Sequence, residues 1–302
     1  MPSTILVTGA SGAIGSRLVE RLRTEGVAPV VAGRSPAGLA DRWPDLQART
    51  LDVLDAGTAA PALEGIEVAY YLIHSMEPGS GSFSERDADG ARTFARQASA
   101  AGVERVIYLG GLGYEDQPLS AHLRSRQETG RILAREGPPV LELRAAMVVG
   151  PDSASFRMLT DLVRRLPAMV VPRWVDTPSQ PIAIDDVLSY LAGARTAAMA
   201  DQHTIVEIGG DEVVTYREMI RMVAARTGRS PVIVGVPLLT PTLSSYWTAL
   251  TTDVPAAVAR PLIDGMTVPM VLRDPGAARR LFPEVHPMGF REALDLALAA
   301  SD

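Results

Sequence analysis

The stretch Thr4-Ile-Leu-Val-Thr-Gly-Ala-Ser-Gly-Ala-Ile-Gly15 carries an apolar strand into three glycines and then into an amphipathic helix expected over Ala13–Glu25. The spacing gives each glycine a task. Gly9 permits a tight turn, Gly12 lets the backbone come close to an anionic group, and Gly15 lets helix and strand pack tightly. Ser11, Ala13 and Ile14 complete the loop, and the first turn of the helix offers backbone N–H groups with no intrahelical partner. Strand, glycine turn and helix in that order read as a pyrophosphate cradle at the start of a dinucleotide-binding βαβ unit.

Outward from that unit, short apolar runs alternate with longer amphipathic ones up to residue 150, the pattern of a parallel sheet covered by helices. Strands are expected near Thr4–Thr8, Pro29–Gly33, Ala48–Leu51, Val68–Ile73, Arg105–Leu109 and Val140–Met147. Helices are expected over Ala13–Glu25, Ser84–Ala101 and Leu119–Glu136, the last two ending near Gly102 and Gly137. After Gly150-Pro151 the pattern becomes irregular and richer in proline. The expected fold is therefore α/β: a Rossmann-type doubly wound parallel sheet over residues 1–150, with a smaller, mainly helical substrate lobe over 151–302. Within about 181–210, Ile182–Ile184 and Thr204–Ile208 are expected to return to the sheet.

The 302 residues are 47% hydrophobic and only 5% aromatic, enough for a sizeable core of Ala, Val, Leu, Ile and Met. A net charge of -6 without a long basic run argues against nucleic acid as a partner. The first apolar run, Ile5–Val7, is too short for a secretion signal, and no stretch reaches the roughly 20 apolar residues of a membrane span. A cytoplasmic location away from the membrane is expected. The chain has no cysteine, so disulfides and thiolate metal sites are excluded, and no metal is expected. It also has no lysine and no asparagine; all 29 basic residues are arginine.

The second strand ends in Val30-Val-Ala-Gly-Arg-Ser35. An acidic residue there would hold the adenosine ribose of NAD, whereas Arg34 can stack on adenine and pair with a 2′-phosphate, so the expected cofactor is NADP(H). Asp52 and Val53, just past the third strand, are placed to meet the adenine edge. Leu72, Ile73 and His74, with Ser75, should line the diphosphate and the nicotinamide ribose.

At these residues the chain resembles the short-chain dehydrogenase/reductase superfamily, and in particular its atypical, NmrA-like NAD(P)-binding members. Val106-Ile-Tyr-Leu-Gly-Gly111 stands where the superfamily ends a strand with a catalytic serine. Leu143-Arg-Ala-Ala-Met-Val-Val-Gly-Pro151 resembles the segment that cups the nicotinamide, which places Ala145, Met147 and Val148 against it. Gln180-Pro-Ile-Ala-Ile-Asp-Asp-Val187 resembles the segment after the substrate loop. Tyr70–Ser75, His122–Gln127 and Leu243–Trp247 look like a bacterial group within that branch.

The resemblance also exposes departures. The superfamily's tyrosine and lysine sit four residues apart on one helix, and here that register holds His122 and Arg126. Gly110 and Gly111 replace the serine. If the protein is an enzyme, Arg126 can hold the nicotinamide ribose with a fixed positive charge, and His122 or Tyr114 can act as the acid. His203 and His286 read as structural. Phe156, Met169 and Trp174, with Leu243–Trp247, suit a small hydrophobic carbonyl, enone or quinone as substrate. The alternative reading is a non-catalytic NADP(H)-binding redox sensor; a sugar-nucleotide epimerase would need the missing tyrosine and lysine.

Overall fold

The computed structural model describes residues 4–74, 83–171, 173–235 and 263–300. Seven strands form one parallel sheet: β1 (Ile5–Thr8), β2 (Val30–Gly33), β3 (Ala48–Thr50), β4 (Val68–Tyr71), β5 (Arg105–Gly111), β6 (Val140–Ala145) and, from later in the chain, His203–Ile208. In spatial order they run β3, β2, β1, β4, β5, β6 and then His203–Ile208. The winding reverses between β1 and β4, which opens a crevice at the carboxyl ends of those two strands.

Period-two alternation sends neighbouring residues of each strand to opposite faces. Ile5 and Val7 of β1 face α1 (Ala13–Thr24) in one buried cluster, while Leu6 joins the other. The second cluster lies under α3 (Ala56–Leu63), α4 (Phe83–Ala100) and α5 (Ala121–Glu136). The short α2 (Pro36–Arg42) packs on the α1 side through Leu39. Both faces are thus covered, as a buried parallel sheet requires.

The remaining chain builds a third buried cluster beside the crevice. It contains β7 (Val148–Val149), α6 (Ala154–Arg165), β8 (Ala168–Val171), β9 (Pro178–Ser179) and β10 (Ile182–Ala183). Then α7 (Ile184–Ala194) returns to pack against α1, and β11 (His203–Ile208) closes the large sheet beyond β6. β12 (Val214–Thr215), α8 (Tyr216–Arg226), β13 (Val232–Gly235) and the helices Pro275–Leu281 and Phe290–Ala299 follow. Thr204–Ile208 does return to the sheet, but Ile182–Ala183 does not. It pairs in parallel with Val148–Val149 outside the seven strands, because the chain turns into α7 at Ile184 before it can extend. No described helix is long and apolar enough to cross a membrane.

Candidate functional site

The glycine turn has the geometry its spacing implied. Gly9 adopts φ +61°, and a Cβ there would lie 2.6 Å from the carbonyl oxygen of Leu72 at the end of β4. A Cβ on Gly15 would lie 2.2 Å from the Gly9 carbonyl, so neither position tolerates a side chain. Gly12 is the N-cap of α1 with no side-chain cap, and no acidic residue stands in the first turn. That helix end is left as a backbone anion site beside exposed Ser11. Thr8 secures the crevice by donating to the Tyr70 carbonyl (2.8 Å) and accepting from the Leu72 amide (3.1 Å).

Beyond the turn lies a cavity of about 330 Å³. Ala13 and Ile14 form one end; Gly110 and Gly111 of β5 and Ala145, Met147 and Val148 form the floor; Tyr216, Met266 and Met270 form the far wall. Most of the wall is apolar; His74, His122 and Arg126 meet at one corner, and Asp152, Ser153 and Ser155 line another part. Arg126 donates to the Leu109 carbonyl and lies over the Tyr108 ring at 5.5 Å, while its buried Nε has no hydrogen-bond partner. Tyr108 in turn donates to the Arg126 carbonyl at 2.9 Å.

His122 Nδ1 lies 3.2 Å from His74 Nε2, and His74 Nδ1 lies 3.0 Å from Oδ2 of Asp87, a carboxylate on α4 that is only 6% exposed. The Ser125 hydroxyl donates to the same oxygen at 3.2 Å. Burial, the neighbouring His74 and the positive Arg126 push His122 down to about 3, so its imidazole is neutral at physiological pH. Burial and Arg126 also lower His74, against the pull of Asp87. Asp87 stands in an ordinary polar helix segment, where nothing in the sequence marks it.

Other residues singled out from the sequence lie apart from this corner. The Tyr114 hydroxyl donates to the Val271 carbonyl (2.8 Å) and accepts from the Arg273 amide (3.0 Å), with the Arg273 guanidinium 3.7 Å above its ring. Burial and Glu207 raise its pKa, and it does not line the cavity. Phe156 and Met169 are buried within the second-lobe cluster rather than in the cavity wall. The side chain of Trp174, Ser75 and Leu243–Trp247 lie outside the described residues.

Arg34 is exposed at the end of β2 and forms no ion pair with a described residue. Asp52 accepts from the Leu54 amide at 3.0 Å, and Val53 packs near Gly90. Leu72 and Ile73 are partly buried beside the crevice. Among the described residues no group of three or more His, Asp or Glu side chains is placed to hold a metal ion.

Gly110 and Gly111, at the end of β5, have local causes. A Cβ on Gly111 would lie 2.9 Å from Leu123 Cδ2, and one on Gly110 would lie 2.5 Å from Glu142 Oε1. Glu142, with no exposed surface, receives Arg144 Nε and His203 Nε2, each at 2.7 Å. Burial alone would raise its pKa, but His203 and Arg144 outweigh it and hold the carboxyl below its ordinary value.

Residues 9–137 match the family model described as NAD(P)H-binding. No curated protein matches the chain. Among solved structures, the NADPH-dependent quinone oxidoreductase QOR2 from Escherichia coli, complexed with NADPH, superposes with a TM-score of 0.76 at 22% identity, covering 98% of this chain and 100% of that one. A nucleoside-diphosphate-sugar epimerase from Staphylococcus aureus gives 0.75 at 15% identity over 96% and 99% of the two chains. The Bordetella bronchiseptica enzyme WbmG, in complex with NAD and UDP, gives 0.71 at 19% identity over 98% and 94%. Residues 9–137 thus resemble an NAD(P)H-binding domain, and the chain as a whole shares the fold of these oxidoreductase and epimerase structures.

Proposed function

We propose that the protein is an NADP(H)-dependent oxidoreductase whose substrate is a small hydrophobic carbonyl, enone or quinone. The observation that carries this reading is the largely apolar cavity that begins at the first turn of α1 and brings His74, His122 and Arg126 together on its wall. The uncapped N-terminus of α1 fits a pyrophosphate, and the buried, unpartnered Nε of Arg126 fits a ribose hydroxyl or a substrate oxygen. Bound there, the dinucleotide supplies or accepts a hydride. The chain's own part is to hold the substrate in an apolar pocket, exclude water and manage one proton at the His122 corner without the usual tyrosine and lysine.

The preference for the 2′-phosphate rests on Arg34, an exposed cation that forms no ion pair with a described residue. NADPH is expected to bind at least about tenfold tighter than NADH, or about 1.4 kcal/mol, and Arg34→Asp should reverse the order. Calorimetric titration decides this; equal affinities in the unaltered protein would remove Arg34 from the role.

A second reading, a non-catalytic NADP(H)-binding redox sensor, is favoured by the absence of any lysine from the chain. NADPH consumption against a panel of quinones, enones and aldehydes separates the two. Tight NADPH binding with no turnover on any of them, together with capture of a protein partner, would favour the sensor.

A further inference from the structure

Asp87, His74 and His122 stand in line from the interior to the cavity wall, at 3.0 Å and 3.2 Å. We propose that they form a proton wire whose resting state presents a proton acceptor, the lone pair of His122 Nε2, so that the site takes its substrate as an apolar primary or secondary alcohol whose hydroxyl donates to that nitrogen. The bonding follows from Asp87. An ionised carboxylate only accepts, so His74 carries its proton on Nδ1 and leaves Nε2 as an acceptor. His122 must then donate from Nδ1, which leaves its Nε2 bare. No described residue donates to that nitrogen, and both imidazole rings line the cavity.

The transfer balances. The substrate hydroxyl gives its proton to His122 Nε2, its carbon gives a hydride to the oxidised nicotinamide, and a C=O bond forms as the C–H and O–H bonds break. His122 passes its Nδ1 proton to His74 Nε2. The charge then rests on a His74 imidazolium against the Asp87 carboxylate. In the reverse direction the same wire must first be loaded with a proton. The charged groups acting on the pair are Asp87 from α4 and Arg126 from α5, with Asp152 elsewhere on the cavity wall. Asp87 and His74 are positioning residues; only His122 meets the substrate.

The chemistry rests on the oxidoreductase reading, but the tautomers do not, and they are measured on the cofactor-free protein. Long-range ¹H–¹⁵N correlation spectra of histidine-labelled protein at pH 7 should show both His74 and His122 as neutral Nδ1–H tautomers. Loss of His74 and of His122 in separate variants assigns the signals. In His74→Phe, His122 should lose its fixed tautomer and populate Nε2–H. In Asp87→Leu, close in shape but with no acceptor, both rings should switch to Nε2–H. An Nε2–H tautomer at His122 in the unaltered protein overturns the proposal, even if a variant does not fold. So does a His122 signal that neither substitution alters. Separate calorimetry with NADPH tells whether the cofactor reading fails on its own.

Discussion

At the scale of single residues, Glu142 shows how a buried charge dictates its neighbours' identities. Glu142 and Arg144 sit two apart on β6 and so share one face, while His203 reaches over from β11. Room for the carboxylate comes from glycines: a Cβ on Gly130 of α5 would lie 2.2 Å from Oε2. An alanine in place of a helix glycine ordinarily adds about 1 kcal/mol of stability. Gly130→Ala should instead lose about 1–3 kcal/mol in urea denaturation, because the methyl group displaces a pinned carboxylate. A net gain would show that the site yields easily. The depressed pKa of Glu142 also sets a sign: its contribution is present above the unfolded value of about 4.3 and is lost as pH falls through the folded value, so Glu142→Gln should flatten the acid limb of the stability curve. In the sequence His203 reads only as structural. That reading could not show that His203 closes the cluster, since that contact spans 61 residues.

Among the elements, those read best were the ones with chemical punctuation. α5 was expected from Leu119 to Glu136 and runs from Ala121 to Glu136, with the Ser120 hydroxyl accepting from the Leu123 amide. Because that cap fixes the turn carrying His122, Ser120→Ala should lower stability by about 1 kcal/mol, read by guanidinium denaturation. A change under a few tenths would mean that burial alone holds the turn. α2 and α3 went unread because they are short and carry Pro36 and Pro61. The pairing of Ile182–Ala183 with Val148–Val149 was also illegible, since two-residue strands have no period to read.

For the molecule as a whole, the sheet was legible because alternating runs demand a parallel fold and glycine spacing marks its switch point. The cavity's far wall was not. Tyr216 comes from a segment 50 residues before the one that carries Met266 and Met270, and apolar composition does not separate a pocket wall from a core, which is where Phe156 and Met169 lie. Since the site is assembled by the whole fold, a ligand bound there should stabilise all of it. NADPH at a hundredfold its Kd should add about 2.7 kcal/mol, and NADH at the same concentration clearly less. Equal thermal shifts from the two would argue against 2′-phosphate recognition.

The Thr8 hydroxyl that ties Leu72 to Tyr70 also gives the crevice a clock. The Leu72 amide, bonded to that hydroxyl, can trade its hydrogen for deuterium only when the ends of β1 and β4 part. Two residues on stands His74, and the Leu72 carbonyl abuts Gly9, so one opening event loosens both the glycine turn and His74. Exchange at Leu72 should slow by about tenfold or more with NADPH bound and quicken in Thr8→Val, while Leu141 in the sheet interior keeps its rate. Equal acceleration at both amides would mean that the two strands part only when the entire sheet unfolds.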